Sequence, residues 1–116
     1  MGVRIKMIRQ DILEINRILL ASALVDEATA VRVCATCEPD DMANAKQRAL
    51  FVAMRALLSD GIDPGSHMAA LMQSRAVVAA HVTATDLADL MADAMPAVAN
   101  AILTELTSRR PPHGAI

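Results

Sequence analysis

Ile5, Ile8, Ile12, Ile15 and Leu19 fall at alternating spacings of three and four, the a and d register of a heptad. Such a stripe commits the segment to an amphipathic helix whose apolar face needs another helix to cover it. Leu13, Leu20 and Leu24 widen the stripe while Lys6, Arg9, Glu14 and Arg17 take other faces, so burial on more than one side is expected. The seam lasts barely three heptads before Ser22 and Asp26 interrupt it. A bundle helix is therefore expected, and not a long coiled coil.

The covering surface has to come from a narrow palette. Of 116 residues 54% are apolar, yet there is one Phe and neither Trp nor Tyr, so Ala, Leu, Val, Ile and eight Met must build the core. Ala, Leu and Met favour helices, and the residues that favour sheets are scarce or sit at helical spacing. The expected fold is all-α, one small bundle of four to five helices. The same composition disfavours stacking platforms for single-stranded nucleic acid and aromatic cages. A net charge of −2 supplies no field to draw DNA, RNA or anionic lipid. No apolar run approaches the roughly 20 residues that span a bilayer, and Met1-Gly2-Val3-Arg4-Ile5-Lys6 lacks a secretory apolar region. With only Cys34 and Cys37 for thiols, a reducing compartment suits the chain. The expectation is a cytoplasmic protein with neither membrane nor nucleic acid as partner.

After the first helix, a break is expected around Cys34 to Pro39. A second helix should run from Pro39 to Leu58, with Glu38, Asp40 and Asp41 at its positive dipole end. Leu50, Met54 and Leu57 lie on its apolar face, Arg48 and Arg55 elsewhere, and Gly61 should cap its end. A third should cover Met68 to Val82 with Leu71, Met72, Val78, Ala79 and Val82 inward. Thr83-Ala84-Thr85-Asp86 offers a capping box for a fourth carrying Leu87, Leu90, Met91 and Met95. Pro96 should open a fifth, with Val98, Ile102 and Leu106 as its stripe, Ala99 and Leu103 alongside, and Pro111-Pro112 as its stop.

Gly65-Ser66-His67-Met68 is the tetrapeptide left before a cloned protein when a common affinity tag is removed, here in mid-chain after Asp63-Pro64. It reads as an engineered join at 65–68 between two native pieces, 1–64 and 69–116, the second opening near an initiator-like Met68. Pieces of about 50 residues bury too little surface to be comfortable alone. Linking two weakly associating pieces raises their effective concentration to roughly millimolar.

This layout, with Met68 opening a helical segment that ends at Arg109-Arg110-Pro111-Pro112 and His113-Gly114-Ala115-Ile116, resembles the four-helix-bundle docking domains of trans-acyltransferase modular polyketide synthases. The resemblance covers the whole chain and rests on layout, length and the join, since no strict motif defines such domains. It implies that a C-terminal segment of one subunit meets an N-terminal segment of the next without chemistry of its own. The apolar stripes would then form the interface, and Arg9, Arg17, Arg48, Arg55, Asp86, Asp89 and Asp93 would select the partner by charge. The partner is another protein segment, here fused in the same chain. Because the synthase subunits of that family are dimeric and the Ile5 to Leu19 stripe exceeds what one hairpin covers, a homodimer is also expected.

Three chemical readings compete. Cys34-Ala35-Thr36-Cys37 has the C-x-x-C spacing of redox and zinc sites, but no strand precedes it and no second ligand pair exists. His81 lies near Asp86 without a positioned nucleophile, a phosphate loop or paired carboxylates. Met42, Met54, Met68, Met72, Met91 and Met95 could mark a plastic groove, although core filling is their ordinary use. No cofactor, metal or enzymatic activity is expected. The alternative of another class is a regulatory DNA-binding domain, because Thr85-Asp86-Leu87-Ala88 followed by Pro96-Ala97-Val98 loosely resembles a helix-turn-helix. Against it, residues 86–107 hold three Asp and one Glu and no Lys or Arg.

Overall fold

A computed structural model describes residues 2–109, with side chains over 11–108. The side chains of Ile5, Lys6, Ile8, Arg9 and Arg109, and residues 110–116 with the Pro111-Pro112 stop, lie outside the described residues. The fold is all-α. Its helices are α1 (Gly2–Val25), α2 (Glu27–Thr36), α3 (Ala45–Ser59), α4 (Met68–Met72), α5 (Arg75–Ala79), α6 (Ala84–Met91) and α7 (Pro96–Arg109), with 3-10 turns at Pro39–Asp41 and Pro64–Ser66.

Among the described residues seven helices replace the four to five expected, and local capping explains the new starts of α2 and α3. Asp26 does more than interrupt the first helix. In an extended backbone conformation it accepts the Thr29 amide at 3.1 Å, and so starts α2 two residues after α1 ends. The helix expected from Pro39 begins instead at Ala45, because Asn44 accepts the Gln47 amide at 2.9 Å. Pro39–Asp41 forms only a short turn, closed by the Glu38 amide donating to Asp41 at 2.8 Å. The expected helix over Met68 to Val82 divides at Gln73 and Ser74 into α4 and α5. That division resets the register, so Val77 is fully buried whereas Val78 is 59% exposed and Ala79 exposed, the reverse of the continuous-helix expectation.

Other punctuation follows the sequence. Gly61 takes φ +75° after α3. The Thr83 hydroxyl accepts the Asp86 amide at 3.1 Å and Asp86 accepts the Thr83 amide at 2.9 Å, the reciprocal cap of α6. Pro96 opens α7. On α7 the buried face is Ala99 and Leu103, with Ile102 and Leu106 partly covered and Val98 exposed, a rotation of about one residue from the expected stripe.

α1 is the axis of the bundle, packed against α2, α3, α6, α7 and the Pro64–Ser66 turn. Every residue from Leu19 to Leu24 is buried, including Ser22. The shared core adds Val33, Phe51, Met54, Leu71, Val77, Leu87, Leu90, Ala99 and Leu103, each large aliphatic side chain contributing about 1.5–3 kcal/mol on full burial. Asn16 and Gln47 are also buried. Asn16 donates to Gln47 Oε1 at 3.2 Å and to the Asp41 carbonyl at 3.0 Å, while Gln47 donates to the Leu13 carbonyl at 3.1 Å. These bonds fix the register of α1 on α3.

Candidate interaction surface

The surface that joins residues 1–64 to 68–116 is a continuous apolar seam bordered by polar contacts. Leu19, Leu50, Met54, Leu71, Leu87 and Leu90 are buried in it, and Ile15, Leu57, Met72, Met91 and Ile102 pack partly buried against the same core. Ile12 is 37% exposed and stands at the edge of the packing, as do the exposed Met95 and Val98.

Charge crosses the seam twice on one side. Arg17 Nε donates to Asp93 at 2.7 Å and its Nη2 to the Asp89 carbonyl at 3.3 Å, while Lys46 donates to Asp86 at 3.0 Å. Asp86 is held below the ordinary carboxylate range by the Thr83 amide first and then by Lys46. Beneath these pairs a cleft of about 150 Å³ opens between α1, α3 and α6, floored by Leu13, Leu20, Leu50 and Leu90. Arg55 turns to Glu38 at 3.4 Å and lies 5.2 Å over the Phe51 ring, so its contacts stay within the first segment. Arg48 is exposed.

Further polar contacts cross the seam at Ser22, Thr29 and Arg32, none of which the apolar spacing assigned to the interface. Ser22, fully buried, accepts the Met95 amide at 2.8 Å ahead of α7. Thr29, also fully buried, accepts from Asn100 Nδ2 at 3.1 Å. Arg32 donates to the Asn100 side-chain oxygen and to Thr104 Oγ1 at 3.2 Å. Small polar residues on otherwise apolar helix faces were the available signal, but only the fold pairs them.

The Pro64–Ser66 turn belongs to the packing. Pro64 is fully buried, Asp63 accepts the Gly65 amide at 3.3 Å and the Ser66 hydroxyl at 2.7 Å, and a Cβ at Gly65 would overlap the Leu24 backbone carbonyl.

The thiols face a different environment from that of a redox pair. Burial pushes Cys34 up to about 11, with Arg55 acting weakly in the opposite direction, whereas a reactive thiol needs a lowered value. Cys37 is buried at the end of α2. No group of three or more His, Cys, Asp or Glu among the described residues could hold one metal ion. No single helix among them is long and apolar enough to cross a membrane.

No family model, no curated protein and no solved structure matches the chain.

Proposed function

We propose that the chain is a non-catalytic docking module in which segments 1–64 and 68–116 recognise each other through the α1–α2–α3 face on one side and α4–α7 on the other. The observation that carries this reading is that Arg17, Lys46 and Arg32 each reach across one apolar seam to Asp93, Asp86 and Asn100. α1 packs on α6 and α7, α2 on α7 and α3 on α5 across that seam. In the finer form, which rests on the resemblance to trans-acyltransferase polyketide synthase docking domains, the two segments belong to successive cytoplasmic subunits and hold them together for acyl transfer. The seven-helix count departs from the four helices of that type, so the general reading is the stronger support for the test below.

Separately produced segments should show mutual NMR shift changes when mixed at roughly millimolar concentration. Arg17→Asp in the first should weaken the complex, and Asp93→Arg in the second should restore it. Segments that leave each other's spectra unchanged at that concentration would overturn the proposal. A homodimer is proposed with it, resting on the stripe through Ile12, and light scattering that reports a monomer for the intact chain would remove that part.

One observation favours the DNA-binding alternative: α6 and α7 meet at 84° across a four-residue turn, close to helix-turn-helix geometry. Its electrostatics oppose it. The side of α7 that faces away from the core carries Glu105 and no Lys or Arg between Pro96 and Ser108, where a recognition helix needs cations near phosphate.

A further inference from the structure

The ion pairs across the seam are about 40% exposed at Arg17 and Asp93, and exposed pairs contribute only about 0.2–1 kcal/mol, screened by salt. Selection of one helix over another needs a contact that is expensive to make wrongly. The α2–α7 contact has that property. Asp26 accepts the Thr29 hydroxyl proton, which leaves Thr29 Oγ1 as an acceptor towards α7. Asn100 fills that place with Nδ2, donating to Thr29 Oγ1 at 3.1 Å and to the Pro96 carbonyl at 2.8 Å, while its side-chain oxygen accepts from Arg32 Nη1. Arg32 Nη2 continues to Thr104 Oγ1 at 3.2 Å, and Thr104 donates to the Asn100 carbonyl at 2.9 Å. Pro96, Asn100 and Thr104 are therefore one i, i+4, i+8 stripe, read by Thr29 and Arg32 one turn apart.

We infer that Asn100 is the specificity-determining residue of the seam, and that the Asp26–Thr29–Arg32 edge of α2 accepts a partner helix bearing an amide four residues after its opening proline. This rests on the docking reading and names what that docking selects. An amide alone among side chains of this size presents a donor to Thr29 and Pro96 and an acceptor to Arg32 at once. A carboxylate there would satisfy Arg32 but set oxygen against two acceptors; an aliphatic side chain would take an acceptor from Arg32 and a donor from Thr29, leaving them Thr104 and Asp26.

The decisive variant is Asn100→Asp in the intact chain, followed by denaturant unfolding at pH 7 and pH 4. The charged groups facing position 100 are Arg32 and, through Thr29, Asp26. A reader of amides predicts that Asn100→Asp lowers the folding equilibrium constant roughly ten- to a hundred-fold at pH 7. It also predicts partial recovery relative to the native chain at pH 4, because a carboxyl facing two acceptors has its pKa raised and its protonated form again supplies a donor. A reader of charge predicts the reverse: stability equal to or above native at pH 7, lost on acidification as a carboxyl stabilised by Arg32 takes up its proton. Thr29→Val should bring the Asn and Asp forms closer together, since it removes one of the misplaced acceptors. Stability at pH 7 equal to native, or a variant unfolded at both pH values, overturns the inference. Because these are measurements within one chain, they decide the role of Asn100 independently of whether the separated segments associate.

Discussion

Two stretches of α1, one near its middle and one near its C-terminal end, carry the same kind of apolar residue and meet different fates. From Leu19 to Leu24 every position is buried, with α2, α3, α6, α7 and the Pro64–Ser66 turn packed about the helix. About two turns earlier, Asp11 and Glu14 are exposed and Ile12 is 37% exposed, on the same heptad stripe that runs into Leu19. A stripe says that a face wants covering, but not how many neighbours arrive. Burial on all sides requires small residues between the large ones, and Leu19-Leu20-Ala21-Ser22-Ala23-Leu24 has them, where Asp11-Ile12-Leu13-Glu14 does not.

That contrast is sharpest under truncation. Leu20→Ala should lose about 2–5 kcal/mol in denaturant unfolding, because its side chain is fully buried and its removal forfeits that packing. Ile12→Ala should lose under about 1 kcal/mol, as suits a side chain already partly in water. Equal losses at the two sites would break the comparison.

The turn that closes the buried end of α1 gives the next effect in size. Gly65→Ala forces a Cβ into the Leu24 carbonyl and should cost about 1–3 kcal/mol by thermal or denaturant unfolding. A segment that served only as a flexible connection would tolerate it without loss. Ser22→Ala, which leaves the Met95 amide without its acceptor, should cost about 1–2 kcal/mol.

The smallest effect lies at the end of α5. His81 ends α5 at φ +59°, the place a glycine would occupy, with the Val82 amide bonded back to the Val77 carbonyl at 3.2 Å. His81→Gly should raise stability by about 0.5–1 kcal/mol by relieving that conformation. A loss on substitution would mean that the imidazole itself is needed.

Local chemistry in the sequence carried much of this architecture. The Thr83–Asp86 cap, Pro96 at the start of α7 and Gly61 at the end of α3 are each set by one or two residues, and they stand where such residues put them. α2 was hidden because Asp26 reads equally as the end of one helix and the cap of the next, and only the Thr29 contacts decide between them. The division at Ser74 has no local signal, since the apolar period runs on through Met68 to Val82 and packing against α3 sets the new register. Periodicity marked Leu19, Leu50, Met54, Leu71, Leu87 and Leu90 as apolar-face residues and they are buried, whereas Val78 and Val98, marked in the same way, are exposed. Ser22, Thr29, Arg32 and Asn100 were not legible, because a hydrogen bond between residues some 70 positions apart leaves no spacing to read.

The account turns on whether residues 1–64 and 68–116 recognise each other, and calorimetric titration of one into the other asks that directly. Association must offset an estimated 4–15 kcal/mol of lost translational and rotational freedom. The account therefore predicts 1:1 binding with a dissociation constant in the micromolar range or weaker, and a negative heat-capacity change from the buried Leu, Ile, Val and Met faces. No heat and no mutual NMR shift changes at roughly millimolar concentration, with the intact chain folded under the same conditions, would contradict it.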